Sequence, residues 1–475
     1  MVMRKNIIIS AVLVLFVGMT SCSGWLDVKP KKTVEEEELF SREIGFKEAL
    51  TAAYIKMANT NLYAKNLSYG FIDILGQRYE NGKGTDTYQD ELYYTFPSKK
   101  TEEFTSVIWG KMYNIIADLN NLLYWVDKNK TVFTTPDYYE IIKGEALGLR
   151  AFLHFDLLRM YGPIYKEHPD AKSICYRSVF SREATELLPA KTVMDSVVVD
   201  LKRAEELLTG TDPLLFDFPH DEDLDEREMK GDRFLVYRHK RMNLYAVKAM
   251  LARAFLYMQD KENAMKYANE VIDSKIFTLV ADNTFDRIYS TEIIFSIYVD
   301  KFEDQVKNEF ARGKFSISDR QFLNELFDVA SDGGNDIRMR EGVGFDYDTF
   351  SAATRKFKQD NMWASTEGTI PLIRLPEMYY ILAECEENDD LSADYLNKVR
   401  EMRGIDATSY KNNASRKLTE IEKEYRKELY GEGQLFYFYK RNFYTNFLHC
   451  PVAQMTEKNY VFSLPENEQL FGKTN

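Results

Sequence analysis

The sequence predicts a mainly all-α fold, a scaffold of helix pairs carrying long irregular loops and a few short strands. Three observations lead there. Apolar residues recur at helical spacing along most of the 475-residue chain. Several of these stretches follow one another as close pairs. The length also exceeds the roughly 250–300 residues that one core usually serves, so several domains or one extended helical assembly is implied. An apolar fraction of 45%, with 31 Tyr and 31 Phe, is ample material for a core.

From the N-terminus, Arg4 and Lys5 precede an apolar run over residues 7–19. The run is shorter than the roughly 20 residues of a membrane-spanning helix and has the layout of a signal-peptide h-region. Met19-Thr20-Ser21-Cys22 follows. Small residues running directly into Cys resemble the lipobox of bacterial lipoproteins. Residues 1–21 are then a signal peptide and residues 22–475 a single helical domain. Cleavage would leave Cys22 N-terminal and acylated on sulfur and amine, and several acyl chains hold where one binds marginally. The alternative is an ordinary secretory signal with an incidental Cys. No later segment has an uncharged apolar run of spanning length.

The first helical stripe is Ile108, Met112, Ile115, Leu119, Leu122 and Val126, all on one helix face. Trp109 and Trp125 flank it as structural residues. Leu149, Leu153, Leu157 and Met160 form the second stripe, stopped by Gly162-Pro163. His154 within it is expected to be a satisfied core residue. Residues 193–208 make a third helix. Leu244, Val247, Leu251, Ala254 and Met258 make a fourth, and Ala264, Ala268 and Val271 continue a fifth after the Asp260-Lys261 turn. Ala252, Phe255, Ala264, Ala268 and Val271 match tetratricopeptide offsets, though a generic helical hairpin shares much of that pattern. Residues 292–299 alternate as a short strand would. Residues 372–387, 391–402 and 418–439 are predicted as further helices. Besides Cys22 only Cys175, Cys385 and Cys450 occur, and three cannot all pair, so no disulfide framework is implied. Cys385 is expected to be a small core residue.

Irregular stretches at residues 63–103, 212–233, 277–318 and 331–369 interrupt the pairs. Loops of this length are usually functional or disordered. Sugars present C–H faces that stack on aromatic rings and hydroxyls that need polar partners. The 73–94 loop supplies both, through Asp73, Gln77, Arg78, Tyr79, Tyr88, Tyr93 and Tyr94. It is the candidate ligand site, with Trp363 added from another loop. The competing reading is that these tyrosines pack the loop onto the scaffold. Asp221, Asp223 and Asp225 have calcium-loop spacing, but Glu226 stands where the turn needs Gly. A solvated loop is the first reading there and a bound Ca2+ the second; no other cofactor is expected.

Net charge is −13 and no long basic stretch exists, which argues against nucleic acid. No His-Glu-x-x-His, Gly-x-Ser-x-Gly or phosphate-binding Gly loop occurs, so no catalytic residue is nominated. A glycosidase would need two carboxylates at set separations, and nothing in the sequence points to such a pair.

Several blocks carry a wider resemblance. They are Trp25-Leu26-Asp27-Val28-Lys29-Pro30, residues 109–123 (WGKMYNIIADLNNLL) and residues 144–164 (GEALGLRAFLHFDLLRMYGPI). Residues 188–208 and 241–272 follow, then Arg374-Leu375-Pro376-Glu377, Leu396-Asn397-Lys398-Val399-Arg400 and residues 421–441 (IEKEYRKELYGEGQLFYFYKR). In this order they resemble the SusD/RagB family of nutrient-binding outer-membrane lipoproteins, over nearly the whole mature chain. The stretch from Phe462 to Glu468 departs from the usual Ile-Pro ending. The resemblance implies a tetratricopeptide-like scaffold with the ligand site on loops. It implies a surface lipoprotein that binds a nutrient, in most cases an oligosaccharide, and passes it to a TonB-dependent outer-membrane transporter. Peptide uptake on the same fold, a surface glycosidase and a purely structural scaffold are the alternatives.

Overall fold

The computed structural model describes residues 31–80, 86–213, 233–307, 309–310, 315–317, 319–332, 334–348, 351–358, 360, 366–411 and 413–472. Eleven helices of eight residues or more occur among them. In chain order they are α1 Lys31–Leu39, α2 Glu43–Met57, α3 Lys99–Lys128, α4 Tyr138–Tyr161, α5 Ala190–Leu208 and α6 Leu244–Tyr257. There follow α7 Lys261–Asp273, α8 Leu375–Cys385, α9 Asp389–Met402, α10 Ala414–Glu428 and α11 Leu435–Asn442. The mainly helical fold is as the sequence predicts.

From α2 to α9 each helix packs on the next one along the chain. The result is a stack of antiparallel pairs, α2/α3, α4/α5, α6/α7 and α8/α9. Local chemistry sets the ends. Ser98 accepts the Thr101 amide at 3.2 Å, Asn243 that of Ala246 at 2.9 Å, and Asp260 that of Asn263 at 3.1 Å. Each satisfies an amide that the first helical turn leaves unpaired. Within α6/α7, Phe255 and Tyr267 stack with ring centroids 5.8 Å apart.

Helix α4 lies at the centre and is buried without a break from Gly144 to Tyr161. Gly148 is one reason neighbours come so close: a Cβ there would stand 2.6 Å from Met242 Cγ. Its polar residues are paired. Arg150 donates to Asp200 at 2.7 and 2.8 Å, and Glu145 accepts from Arg238 at 2.5 Å. His154 meets the Arg150 carbonyl at 2.8 Å through Nδ1 and accepts the Arg177 amide at 3.0 Å through Nε2. Burial pushes its pKa down to about 3, so it is a neutral structural residue.

Five strands occur among the described residues: β1 Ile293–Tyr298, β2 Ser316–Ile317, β3 Phe345–Tyr347, β4 Ala352–Thr354 and β5 Thr369–Arg374. β1 and β5 pair antiparallel, and β2-β4-β3 form a small separate sheet. The excursion between β1 and β5 is tied to the scaffold by buried charge. Glu428 of α10 accepts from Arg338 at 2.9 Å, Arg374 at 2.6 Å and Arg403 at 2.9 Å. Glu292 accepts from Arg374 at 2.9 Å and Arg403 at 2.8 Å.

Three elements differ from the sequence expectation. Residues 372–374 belong to β5, and the helix starts only at Leu375, where Pro376 suits the first turn because its missing amide costs nothing there. The predicted 418–439 helix is broken into α10 and α11 by a turn in which Gly431 (φ +75°) and Gly433 (φ +68°) are left-handed. Helices α1 and α2 are not predicted, although Phe46, Leu50, Ala53 and Met57 of α2 recur at helical spacing and are buried.

Candidate functional site

The 73–94 loop is folded inward. Asp73, Gln77, Arg78, Tyr79, Tyr88 and Tyr94 are all buried, and only Tyr93 turns a substantial part of its ring to solvent. Asp73 pairs with the Arg78 guanidinium and accepts the Gly431 and Gly433 amides at 3.1 Å each. Arg78 also donates to the Arg426 carbonyl at 3.2 Å. Gln77 donates to the Leu92 carbonyl at 3.0 Å, and the Tyr88 hydroxyl to Asn66 at 2.8 Å. The Tyr79 ring meets Phe315 and Tyr430 edge-on, at 5.3 Å each. This corrects the expected ligand surface: Asp73, Gln77, Arg78, Tyr79 and Tyr88 present no accessible face to a sugar. The two left-handed glycines aim their amides at Asp73, so the loop packs on the α10–α11 turn. Trp363, Cys22 and the acidic run Asp221, Asp223 and Asp225 lie outside the described residues.

The β1–β5 excursion instead carries an open cleft of about 400 Å³, within the usual range for small-ligand sites. One wall is the single helical turn Phe302–Val306 with the residues after it, namely Glu303, Val306, Lys307 and Phe310. The other is the β3–β4 hairpin with its continuation, namely Asp346, Tyr347, Asp348, Ser351, Lys358 and Asp360.

Each wall has a local cause. Asp348 holds the two arms of the hairpin together by accepting the Ser351 amide at 2.8 Å and hydroxyl at 2.9 Å. Arg355 bridges Asp346 and Asp360 at 2.7 Å each, and Lys358 reaches Asp346 at 3.1 Å. Phe310 is seated among Tyr69 (5.0 Å), Phe315 (5.9 Å) and Phe357 (5.8 Å). Tyr347 donates to the Met339 carbonyl at 2.5 Å, and the Arg320 guanidinium lies 4.7 Å from its ring centre. Burial pushes the Tyr347 phenol up to about 12. Burial also pulls the Asp346 carboxyl upward, but Arg355 and Lys358 outweigh it and hold the group below its ordinary range.

The cleft therefore offers aromatic surface, fixed carboxylate acceptors and the exposed heads of Glu303 and Lys307. Asp346 is set up as an acceptor; a general acid for glycoside cleavage needs the opposite shift. The residue types are those sought in the 73–94 loop, found in the 277–318 and 331–369 stretches. The run Phe345-Asp346-Tyr347-Asp348 was the available sequence signal. Asp360, which lines the cleft, stands three residues before Trp363.

A larger groove of about 880 Å³ runs between α3, residues 175–185 and the C-terminal turn Glu466–Phe471. Its polar groups are largely spent on its own walls. Tyr113 donates to the Cys175 carbonyl at 2.7 Å, Asn120 to the Arg177 carbonyl at 2.9 Å and Arg177 to the Ser181 carbonyl at 2.7 Å. Val179 and Phe471 stand exposed at its rim. Asp346, Asp348, Asp360 and Tyr347 of the smaller cleft are likewise bonded within its walls, so what favours that cleft is its pair of lining rings, Phe310 and Tyr347, beside the exposed heads of Glu303 and Lys307.

Comparison with known proteins bears on both fold and site. A SusD-like family model described as starch-binding and associating with the outer membrane matches residues 24–213. The SusD family model matches residues 237–470. A SusD-like protein of Formosa agariphila is 26% identical over 210 residues, covering 43% of this chain and 38% of that protein's length. A SusD-like carbohydrate-binding protein from Bacteroides vulgatus shares the fold with TM-score 0.68 at 20% identity, covering 90% of this chain and 96% of the other. A laminarin-binding SusD-like protein aligns with TM-score 0.63 at 16% identity, covering 91% and 98%. A SusD superfamily protein from Bacteroides thetaiotaomicron gives 0.66 at 21%, covering 84% and 89%. With the helix order, the stack of pairs and two family matches that together run from residue 24 to 470 all in agreement, the chain belongs to the SusD family, a carbohydrate-binding family associated with the outer membrane.

Proposed function

We propose that this protein is a surface lipoprotein, anchored through Cys22, that binds an oligosaccharide in the cleft between residues 303–310 and 346–360. It hands that glycan to a TonB-dependent outer-membrane transporter. The observation that carries the reading is the cleft itself: Phe310 and Tyr347 are aromatic surface beside Asp346, Asp348, Asp360 and Lys307. Stacking orients a sugar ring, and the charged groups replace water at its hydroxyls. The transporter and the anchor rest on the family and on the sequence around Cys22. The protein binds without turnover, so a bound glycan is recovered intact.

Calorimetry against maltoheptaose, laminarihexaose and a mixed tripeptide tests the cargo. Lys307→Ala is expected to weaken glycan binding by the loss of one polar partner, about 1–3 kcal/mol or roughly tenfold to a hundredfold, and Tyr347→Ala by the loss of a stacking ring, about 1 kcal/mol. Circular dichroism should show both variants folded. Wild-type glycan affinity in both would remove the cleft from consideration, and binding of the tripeptide alone would turn the reading to peptide uptake.

A further inference from the structure

Two tyrosines outside the cleft are held rigidly yet turned to solvent. Tyr298 ends β1 and is 54% exposed, although the five residues before it are buried. The ring lies directly over the Gly368 backbone: a Cβ on Gly368 (φ +66°) would stand 2.6 Å from Tyr298 Cε2. The Val299 amide donates to the Gly368 carbonyl at 2.7 Å and pins that contact. Tyr237 is 40% exposed and sits in the left-handed region at φ +57°, a backbone state that disfavours L side chains and persists only where the surroundings hold it.

The two are fixed to one another. The turn Arg238–Lys240 packs on β1, and Ser296 Oγ donates to the His239 carbonyl at 3.0 Å. The Lys240 ammonium then lies 4.8 Å from the Tyr237 ring centre and 5.5 Å from that of Tyr298. A cation between two aromatic faces, on a pinned strand end, combines stacking surface with N–H donors. Its place relative to the cleft matters as well. Tyr298 precedes Glu303 by five residues, at most about 18 Å of chain, a span that a short oligosaccharide covers.

We propose that Tyr237, Lys240 and Tyr298 form a second glycan subsite, in which a pyranose ring stacks on the tyrosines and Lys240 donates to its hydroxyls. The ligand class is a neutral oligosaccharide long enough to reach from the cleft to this platform. The proposal rests on the reading of the cleft as the primary glycan site, and it makes chain length a determinant of affinity. The glycan's C–H face takes the place of the Lys240 contact on one ring, and the ammonium turns to the sugar hydroxyls.

The test is calorimetry with a long and a short glycan of each linkage: maltoheptaose and maltose, laminarihexaose and laminaribiose. Tyr237→Ala and Tyr298→Ala should weaken the long glycan that binds by roughly three- to tenfold and leave the matching disaccharide unchanged. Tyr298→Phe, which keeps the ring, should restore the long-glycan affinity. Unchanged long-glycan affinity in both alanine variants, with Tyr347→Ala weakened, would overturn the subsite and leave the cleft standing. Equal loss for long and short glycans would also overturn it. Wild-type protein that binds none of the four would remove the cleft reading and this subsite together.

Discussion

Arg78 holds its guanidinium fully out of water, against Asp73 and the Arg426 carbonyl. Burial raises the Asp73 pKa, and Arg78 offsets part of that rise. Arg78→Ala would leave Asp73 as a buried carboxylate with no cation beside it, at a cost of about 3–5 kcal/mol. Urea denaturation should show that loss, and an unchanged midpoint would contradict the buried-pair account. Glu424 of α10 has the opposite balance. Burial raises its pKa, but Lys427, Arg338 and Arg400 outweigh that and hold it at about 2, against an ordinary 4.5. The pair of values makes its contribution complete above pH 4.5 and lost as pH falls through about 2, worth about 3 kcal/mol. Stability measured against pH should fall across this window, and Glu424→Gln should flatten the slope; an identical slope would place the acid sensitivity elsewhere. At this scale the sequence was readable for residue type and not for environment. Asp73, Arg78 and Tyr79 have the chemistry of a binding surface and of a buried network alike. What decides between them is the Gly431–Gly433 turn, more than 350 residues downstream, whose amides meet Asp73.

Helices were legible where one face repeats. The stripe from Ile108 to Val126 lies within α3, and all six of its residues are buried. Ends were legible less often, because periodicity continues through a break. Leu429 and Phe436 look like one apolar face, yet the left-handed glycines between them turn the chain. The strand ahead of α8 was hidden because Leu372 and Ile373 suit either state. Helix α4 shows why a glycine at helical spacing is informative. Gly148→Ala would raise helix propensity by about 1 kcal/mol, but the added methyl would press on Met242 Cγ at 2.6 Å. Overpacking of this kind costs about 1–3 kcal/mol. The variant should therefore unfold at a lower urea concentration than wild type, and a stabilised variant would show that α4 and Met242 are not in tight contact.

Across the whole molecule, packing of each helix on its neighbour makes a scaffold that long insertions leave intact. The stack was visible in the sequence as several close pairs, most clearly the α6/α7 pair. The insertions between pairs were visible as lost periodicity, but not which of them opened a cleft. Attachment to the membrane, as proposed, depends on one residue, Cys22. Cys22→Ser should move the protein from the membrane fraction to the soluble one, and unchanged partitioning would count against the anchor. Affinity capture from solubilised outer membranes should recover a large barrel protein with the wild type; repeated capture of this protein alone would count against the proposed transporter.

The pairing of β1 with β5 has a further consequence. Val299 and Gly368 are hydrogen-bonded neighbours, so the chain leaves the β1–β5 pair at residue 299 and returns to it at residue 368 through a single doorway. Such a segment is a cassette. Doubling its length adds only about 0.6 kcal/mol of closure entropy, and its tip can diverge without strain reaching the helices. Its docking contacts are many: Arg338 meets Glu424 and Glu428, Lys356 meets Glu432, Asp332 meets Arg400 and Lys427, Asp328 meets Lys423, Glu309 meets Lys65, and the Phe310, Phe315 and Phe357 rings pack on Tyr69. A donor segment from another member that keeps those contacts is expected to graft through the same doorway and, if the cleft is the glycan site as proposed, to bring its own cargo preference with it.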